Sequence, residues 1–282
     1  MDIDTKSLLE PAVDIAVAAG KDALKFYGKD GPVEYKSDNS PLTLADKASH
    51  ETIVRALRER TPEIPILSEE SPEEDKDRRK EWECFWLVDP LDGSKEFIKR
   101  SGQFTVNIAL VQGTETILGV VHVPVSGVTY TGLPVEGTGG GGAWVRSPGE
   151  EEKPIRARAA DLEHLTVVAS KDHAGPIVEA FLARLSGAEV TSMGSSLKFC
   201  LVAEGKADFY PRVVPTMEWD TGAAQCIVEA AGGRVTDLDG ERLRYNKESL
   251  RNPSLMAIGD RDVDWVGFFS SERDLSRPDG HR

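Results

Sequence analysis

Trp86-Leu87-Val88-Asp89-Pro90-Leu91-Asp92-Gly93-Ser94-Lys95-Glu96-Phe97 is the most informative run in this chain. Its apolar opening, Phe85 to Val88, reads as a buried strand that stops at Asp89. The strand delivers two carboxylates, Asp89 and Asp92, at its carboxyl end. Pro90 and Gly93 then shape a tight turn into a helix capped by Ser94. That arrangement suits a hard cation beside a phosphate. The carboxylates and the Leu91 carbonyl can hold Mg²⁺, and free N–H groups at the helix start can hold an anion. Read alone, Asp-x-x-Asp-Gly is equally a simple capped turn.

Working outward, apolar positions at helical spacing run from residue 5 to 27 and stop at Gly28, which predicts a first helix. A strand and turn over Tyr35 to Thr43 leads to a second helix from Leu44 to Arg60, ended by Pro62. Pro65-Ile66-Leu67-Ser68 reads as another strand, followed by Glu69, Glu70 and a charged stretch, Ser71 to Glu81, with the composition of a mobile surface loop. From Phe104 to Val123 the pattern predicts antiparallel strands broken at Gly113 and Gly119. Gly137 to Gly142 spells G-x-G-x-x-G but opens no helix, so it reads as a hairpin loop and not a dinucleotide site. Charged, irregular sequence from Glu150 to Ala160 suggests a crossover into a second half that alternates strands (166–170, 209–210) with helices (176–185, 197–204, 221–231). The expected halves are residues 1–150 and 151–282, and the pattern is α/β. The polar tail from Ser270 is expected to fray.

Composition narrows the function classes. The chain has 282 residues, with 34 Lys+Arg against 48 Asp+Glu and a formal net charge of −14, which argues against nucleic-acid binding. At 39% hydrophobic and 29% charged it reads as an ordinary globular protein. No apolar run is long enough to span a membrane, and the acidic start lacks the character of a signal peptide, so a cytoplasmic setting is expected. Cys84, Cys200 and Cys226 are far apart in sequence and flanked by apolar residues, as buried thiols in a reducing compartment would be. None has a second Cys or a His at zinc-site spacing, so any metal must be held by oxygen.

Further acids lie at informative places. Glu69 and Glu70 follow a strand, and Trp219-Asp220 precedes a small-residue helix, Thr221-Gly222-Ala223-Ala224. An acid at a helix start is most often a cap favoured by the helix dipole. Should carboxylates from these separate places converge, they would repel one another unless cations neutralised them.

Taken together, Asp89-Pro90-Leu91-Asp92-Gly93-Ser94, the upstream Ser68-Glu69-Glu70 and the downstream Trp219 to Ala224 resemble the signature set of the inositol monophosphatase superfamily of lithium-sensitive, Mg²⁺-dependent phosphatases. Lys36 to Thr43, Lys95 to Arg100, and Gly194 to Asp208 with Pro211-Arg212 are similar to its 3′(2′),5′-bisphosphate nucleotidase branch. The similarity runs in order from about Leu8 to Asn252. It implies a five-layer αβαβα sandwich of the inositol monophosphatase and fructose-1,6-bisphosphatase type.

The resemblance also implies roles. Glu69, Asp89, Asp92 and Asp220, with the Leu91 carbonyl, match ligands for two or three Mg²⁺ ions. Asp46 matches the carboxylate that works with a hydroxyl after Asp-Gly to activate water. Here that hydroxyl belongs to Ser94, where the superfamily usually has Thr. Serine keeps the oxygen but loses the methyl that restricts its rotamer. Without the motif, Asp46 would read as a first-turn acid and Ser94 as an N-cap. Gly194, Ser195 and Lys198 match contacts to the sugar and 5′-phosphate side, with His173 and Arg212 as further candidates, while Gly93 and the metal ligands line the phosphate. Each has a plain alternative: Lys198 as a solvated helix residue, Arg212 as a surface ion pair, His173 as a loop histidine. Trp219 reads as packing.

The expected activity is removal of the 3′-phosphate from 3′-phosphoadenosine 5′-phosphate to give AMP in sulfate assimilation, with its sulfated relative as another substrate. The partner is thus a small nucleotide bisphosphate, and the chain a monomer or homodimer. Inositol monophosphatase or fructose-1,6-bisphosphatase activity is the alternative within the superfamily. A non-catalytic nucleotide-sensing or partner-binding module is the alternative outside it.

Overall fold

The computed structural model describes residues 3–29, 33–35, 41–134, 141–169, 178–179, 181–182 and 187–270. Two helices, α1 (Thr5–Leu24) and α2 (Leu44–Arg60), cover the outer face of the larger sheet. Between them in sequence lies a small antiparallel pair, β1 (Val33–Tyr35) and β2 (Pro41–Thr43). Ala12, Ile15, Ala16, Ala19 and Ala23 bury one stripe of α1 at the spacing of helical turns.

The larger sheet has seven strands in sequence order: β3 (Ile66–Ser68), β4 (Cys84–Asp92), β5 (Thr105–Gln112), β6 (Glu115–Val123), β7 (Val128–Leu133), β8 (Gly142–Arg146) and β9 (Lys153–Ile155). Only the β3–β4 pair is parallel. Side chains alternate between two cores, as a pleated strand covered on both faces requires. Cys84, Trp86 and Val88 pack under α1 and α2, whereas Phe85 and Leu87 face inward. Strand β4 runs to Asp92, past the expected stop at Asp89, with a register shift between those two residues. Gly119 lies inside β6 and does not break it; Gly113, at φ +59°, does turn the chain. Lys153–Ile155 adds an edge strand, so the irregular crossover begins only after it.

The smaller sheet has five strands in the order β11 (Glu189–Ser192), β10 (Thr166–Ala169), β12 (Phe209–Arg212), β14 (Leu255–Ile258), β13 (Arg234–Asp237). Its β11–β10–β12 part is parallel and its β12–β14–β13 part antiparallel. Helices α5 (Leu197–Ala203) and α6 (Glu218–Ala230) contribute to the core shared by the two sheets. Phe181 and Trp265 of α7 (Trp265–Ser270) pack on the far face of the smaller sheet. The layers are helix, sheet, helix, sheet, helix, as expected.

Helix α6 lies close to the larger sheet because small residues let it. A Cβ on Gly119 would sit 2.3 Å from the Ala223 carbonyl oxygen, and one on Gly132 would sit 2.7 Å from the Ile227 Cα. Cβ contacts under about 3 Å require something to move, so glycine is needed at both strand positions.

Charged residues 71–81 form structure, contrary to the expectation of a mobile loop. Helix α3 (Glu73–Arg78) and a 3₁₀ turn (Arg79–Glu81) are fixed by Arg79, which is buried and donates through Nη2 to the carbonyls of Lys247 at 2.7 Å and Glu248 at 2.9 Å. The expected helix at 176–185 and the G-x-G-x-x-G loop lie largely outside the described residues, as does the tail beyond Ser270. Among the described residues, no helix is long and apolar enough to cross a membrane.

Candidate active site

Strand pairing brings the first acids together. Ser68 of β3 pairs with Val88 of β4, and the Glu69 N–H donates to the Val88 carbonyl at 3.0 Å, so Glu69 stands beside Asp89. Asp89 pairs with Asn107 and Asp92 with Thr105 across β5. The register shift gathers Asp89 to Asp92 into a turn that is held from two directions. Within it, the Leu91 N–H donates to Asp89 Oδ1 at 3.0 Å. From α2, the Ser49 hydroxyl donates to the Pro90 carbonyl at 2.7 Å.

Ser49 stands one helical turn beyond Asp46, so the same bond brings Asp46 to the turn. Asp46 is buried and accepts from the Thr43 N–H at 2.7 Å and the Thr43 hydroxyl at 2.6 Å, closing a capping box on α2. Leu91 shares an apolar cluster with Ala45, Phe97 and Phe104, and α4 (Ser94–Ile98) lies against β2. Ser94 is the first residue of that helix. The cap itself is Gly93, left-handed at φ 97°, which corrects the expectation that Ser94 caps. The hydroxyl is therefore not committed to capping.

The fourth acid arrives on α6. That helix begins at Glu218, three residues before the expected start, so Asp220 sits inside its first turn and accepts from the Met217 N–H at 2.8 Å. Glu218 is fully buried and meets a complete set of partners: the Asn246 N–H at 2.7 Å, the Lys247 N–H at 3.0 Å and the Lys247 ammonium at 2.6 Å. Asn252 adds donations to the Met217 carbonyl at 2.8 Å and the Thr221 hydroxyl at 3.0 Å. Segment 246–252 thus fixes the end of the helix that carries Asp220.

Ser196, which sequence reading passed over, joins the Asp92 turn to the start of α6. Its N–H donates to Asp92 Oδ2 at 2.7 Å; its hydroxyl lies 2.8 Å from the same oxygen and 2.9 Å from the Asp220 carbonyl, and accepts from Asn107 at 2.9 Å. The backbone reaches this position through Ser195, left-handed at φ 42°, whose hydroxyl donates to the Gln103 carbonyl at 2.8 Å. The Gly194 N–H donates to the Gln103 side chain at 2.9 Å, and a Cβ there would meet the Gln103 carbonyl at 2.6 Å. The signal for Ser196 was weak, because one serine in Gly-Ser-Ser carries little information until its partner is known.

The acids act strongly on one another. Burial pushes the Asp89 carboxyl well above its usual range, and Glu69, Asp92 and Asp220 push it further. Burial followed by Asp92 raises Asp220 to about 8. Among the described residues no three acids are drawn close enough to ligate one ion as they stand, since Asp92 is turned onto Ser196 and Asp220 onto Met217. The donor chemistry nonetheless fits a hard divalent cation: the acids repel one another and all are oxygen donors.

Beside the acids is a cavity of about 70 Å³ lined in part by Asp92, Ser195, Lys198, Tyr210, Arg212 and Asp220. Lys198 is buried, not solvated as its plain alternative held; its ammonium lies 3.4 Å from the Met193 carbonyl and 5.6 Å from the centre of the Tyr210 ring. Burial lowers its pKa to about 8, Asp92 opposing the shift and Arg212 adding to it. Among the described residues the buried Nε of Arg212 has no hydrogen-bond partner. Trp219 is buried in the core, with the Lys76 ammonium 5.6 Å from its ring centre. His173 lies outside the described residues.

This fold and this convergence of acids define a class, and the chain belongs to the inositol monophosphatase family, whose profile matches residues 4–261. Among its relatives is the 3′(2′),5′-bisphosphate nucleotidase CysQ of Salmonella typhimurium, 45% identical over 249 residues, 87% of this chain and 97% of that protein. The CysQ of Haemophilus influenzae is 34% identical, covering 93% and 96%. A crystal structure of CysQ from Bacteroides thetaiotaomicron superposes with a TM-score of 0.78 at 43% identity, covering 93% of this chain and all of that one. The inositol monophosphatase of Thermotoga maritima gives 0.75 at 25% identity, covering 97% and 99%. Family members are metal-dependent phosphatases.

Proposed function

We propose that the chain removes the 3′-phosphate from 3′-phosphoadenosine 5′-phosphate, and from its 5′-phosphosulfate counterpart, in the cytoplasmic economy of sulfate assimilation. The observation that carries this reading is the pairing of opposites around one small cavity. Asp92 and Asp220 line one part of it, and Lys198 and Arg212 another, the latter with a buried N–H that has no partner among the described residues. A substrate with two phosphates suits both: one beside the acids with their cations, one against the guanidinium and ammonium.

Glu69, Asp89, Asp92, Asp220 and the Leu91 carbonyl would hold two or three Mg²⁺ ions. Bound there, the ions would supply positive charge for the phosphoryl group, which would also reverse the local potential of a strongly acidic chain. The protein's own groups do the rest. Ser94 and Asp46 orient a water in line with the phosphorus and accept its proton, the new O–P bond forms as the bond to the ribose 3′-oxygen breaks, and that oxygen leaves to be protonated. Gly93 keeps the turn open toward Gly194 and Ser195: a Cβ on it would lie 3.2 Å from the Ser195 Cβ. Lys198 and Arg212 hold the second phosphate, with His173 a further contact. The free buried cysteines accord with a reducing cytoplasm.

Phosphate release from the bisphosphate nucleotide, inositol 1-phosphate and fructose 1,6-bisphosphate, each with Mg²⁺ and with chelator, tests the reading. Mg²⁺-dependent preference for the nucleotide is expected. Preference for either other compound would overturn the substrate, and release from none would favour a binding module.

A further inference from the structure

A second cavity, of about 890 Å³, opens at the other end of α6. It shares no lining residue with the cavity beside Asp92. From Asp220 to Glu229 the helix advances nine residues, roughly 14 Å at the helical rise. Four of its lining residues are arginines, Arg234, Arg242, Arg244 and Arg261, against two acids, Glu115 and Glu229, and no lysine takes part. In a chain with 48 acidic and 34 basic residues, that local excess runs against the overall charge.

The arginines are not used alike. Glu229 accepts from Arg242 Nε at 2.9 Å and Nη2 at 2.6 Å, which fixes that guanidinium. Glu115 pairs with both Arg242 and Arg244. Arg261 Nε donates to the Gly233 carbonyl at 2.7 Å. Arg244 is half exposed, and Arg234 acts on the Glu229 carboxylate through space, with no close ion pair among the described residues. The guanidinium fork recognises phosphate oxygens in pairs, so Arg234 and the half-exposed Arg244, which shares Glu115 with Arg242, form a phosphate-binding arrangement beside the fixed Arg242 and Arg261. The volume falls in the usual range for small-molecule sites.

We infer that this cavity is a second ligand site that takes a phosphorylated small molecule carrying two or more negative charges. Arg234 and Arg244 contact the phosphate, while Arg242 and Arg261 supply fixed positive charge. The site is independent of the catalytic acids and needs no metal.

Calorimetric titration of the full chain with ATP as probe, at low salt, tests this both with chelator, which leaves the acid cluster bare, and with Mg²⁺. One molecule is expected to bind saturably at micromolar concentration with chelator present. Arg234→Gln with Arg244→Gln weakens that binding at least tenfold, and Lys198→Ala leaves it unchanged. Arg234→Gln alone breaks no close ion pair among the described residues and weakens binding at least threefold, which keeps the test decisive if the double variant does not fold. No saturable binding, unchanged binding in Arg234→Gln, or loss of binding in Lys198→Ala would each overturn the site.

Discussion

Two acids at the start of one helix meet opposite surroundings. Glu218 is sealed from solvent, with two backbone N–H groups and a lysine ammonium on its oxygens. Asp220, two residues on, has one backbone N–H on Oδ2 and faces other acids, which together with burial lifts its pKa to about 8. A buried charge costs several kcal/mol unless partners compensate it. Glu218 has them inside the chain, so its role is architectural. Asp220 is opposed by Arg212 but not held by it, its pKa stays raised, and in the proposed function a bound cation supplies the remaining charge.

The comparison breaks most visibly in activity. Asp220→Asn and Asp92→Asn are each expected to lower Mg²⁺-dependent phosphate release by about a thousandfold or more, the scale of losing a charge-stabilising group at a reacting centre. Their melting temperatures without metal should equal or exceed the parent's, because repulsion is relieved. An active Asp92→Asn would remove that residue from the metal site.

Glu218→Ala should do the reverse. Removing the carboxylate leaves the Asn246 and Lys247 N–H groups and the partly buried Lys247 ammonium without their acceptor, at a cost of about 1–3 kcal/mol, readable as a lowered urea midpoint. A midpoint close to the parent's would show that the pair contributes nothing to the fold.

Lys198 sharpens the contrast on the side of the substrate. Lys198→Ala should raise KM for the bisphosphate nucleotide about tenfold, roughly 1.4 kcal/mol, and change inositol 1-phosphate hydrolysis much less. Equal losses would detach Lys198 from the second phosphate. Because burial holds its pKa near 8, the ammonium loses its charge as pH rises through that value. The lysine therefore helps phosphate binding below pH 8, and kcat/KM should fall above it; Lys198→Arg, charged throughout, should flatten the fall. The smallest effect is expected from Ser94→Thr, which adds a rotamer-restricting methyl to a hydroxyl not engaged in capping, and should change kcat within about threefold.

Much of this was legible in the chain itself. The span of α2 was readable from apolar spacing closed by Pro62, and β4 from an unbroken apolar run. What escaped reading depended on partners far away in sequence. Residues 71–81 look solvated because their composition is charged, yet Arg79 reaches carbonyls 168 and 169 residues on. The start of α6 looked like loop because Glu218 is an unpromising core residue until Lys247 is beside it. Ser196 was invisible for the same reason: its value lies in joining Asp92 to Asn107 and the Asp220 backbone. Acids announced the site; the residues that aim them did not.

The near-contact of Gly119 and Gly132 with α6 has a mechanical consequence. These glycines serve as a seat that sets how deeply the helix rests, and the depth of the helix sets the reach of Asp220. A methyl group on either strand would lift the rod at its middle and tilt its tip, so an error made among apolar atoms would be read out as a misplaced carboxylate. The tolerance of the chemistry is thereby machined into the floor of the sheet, well away from any charged group.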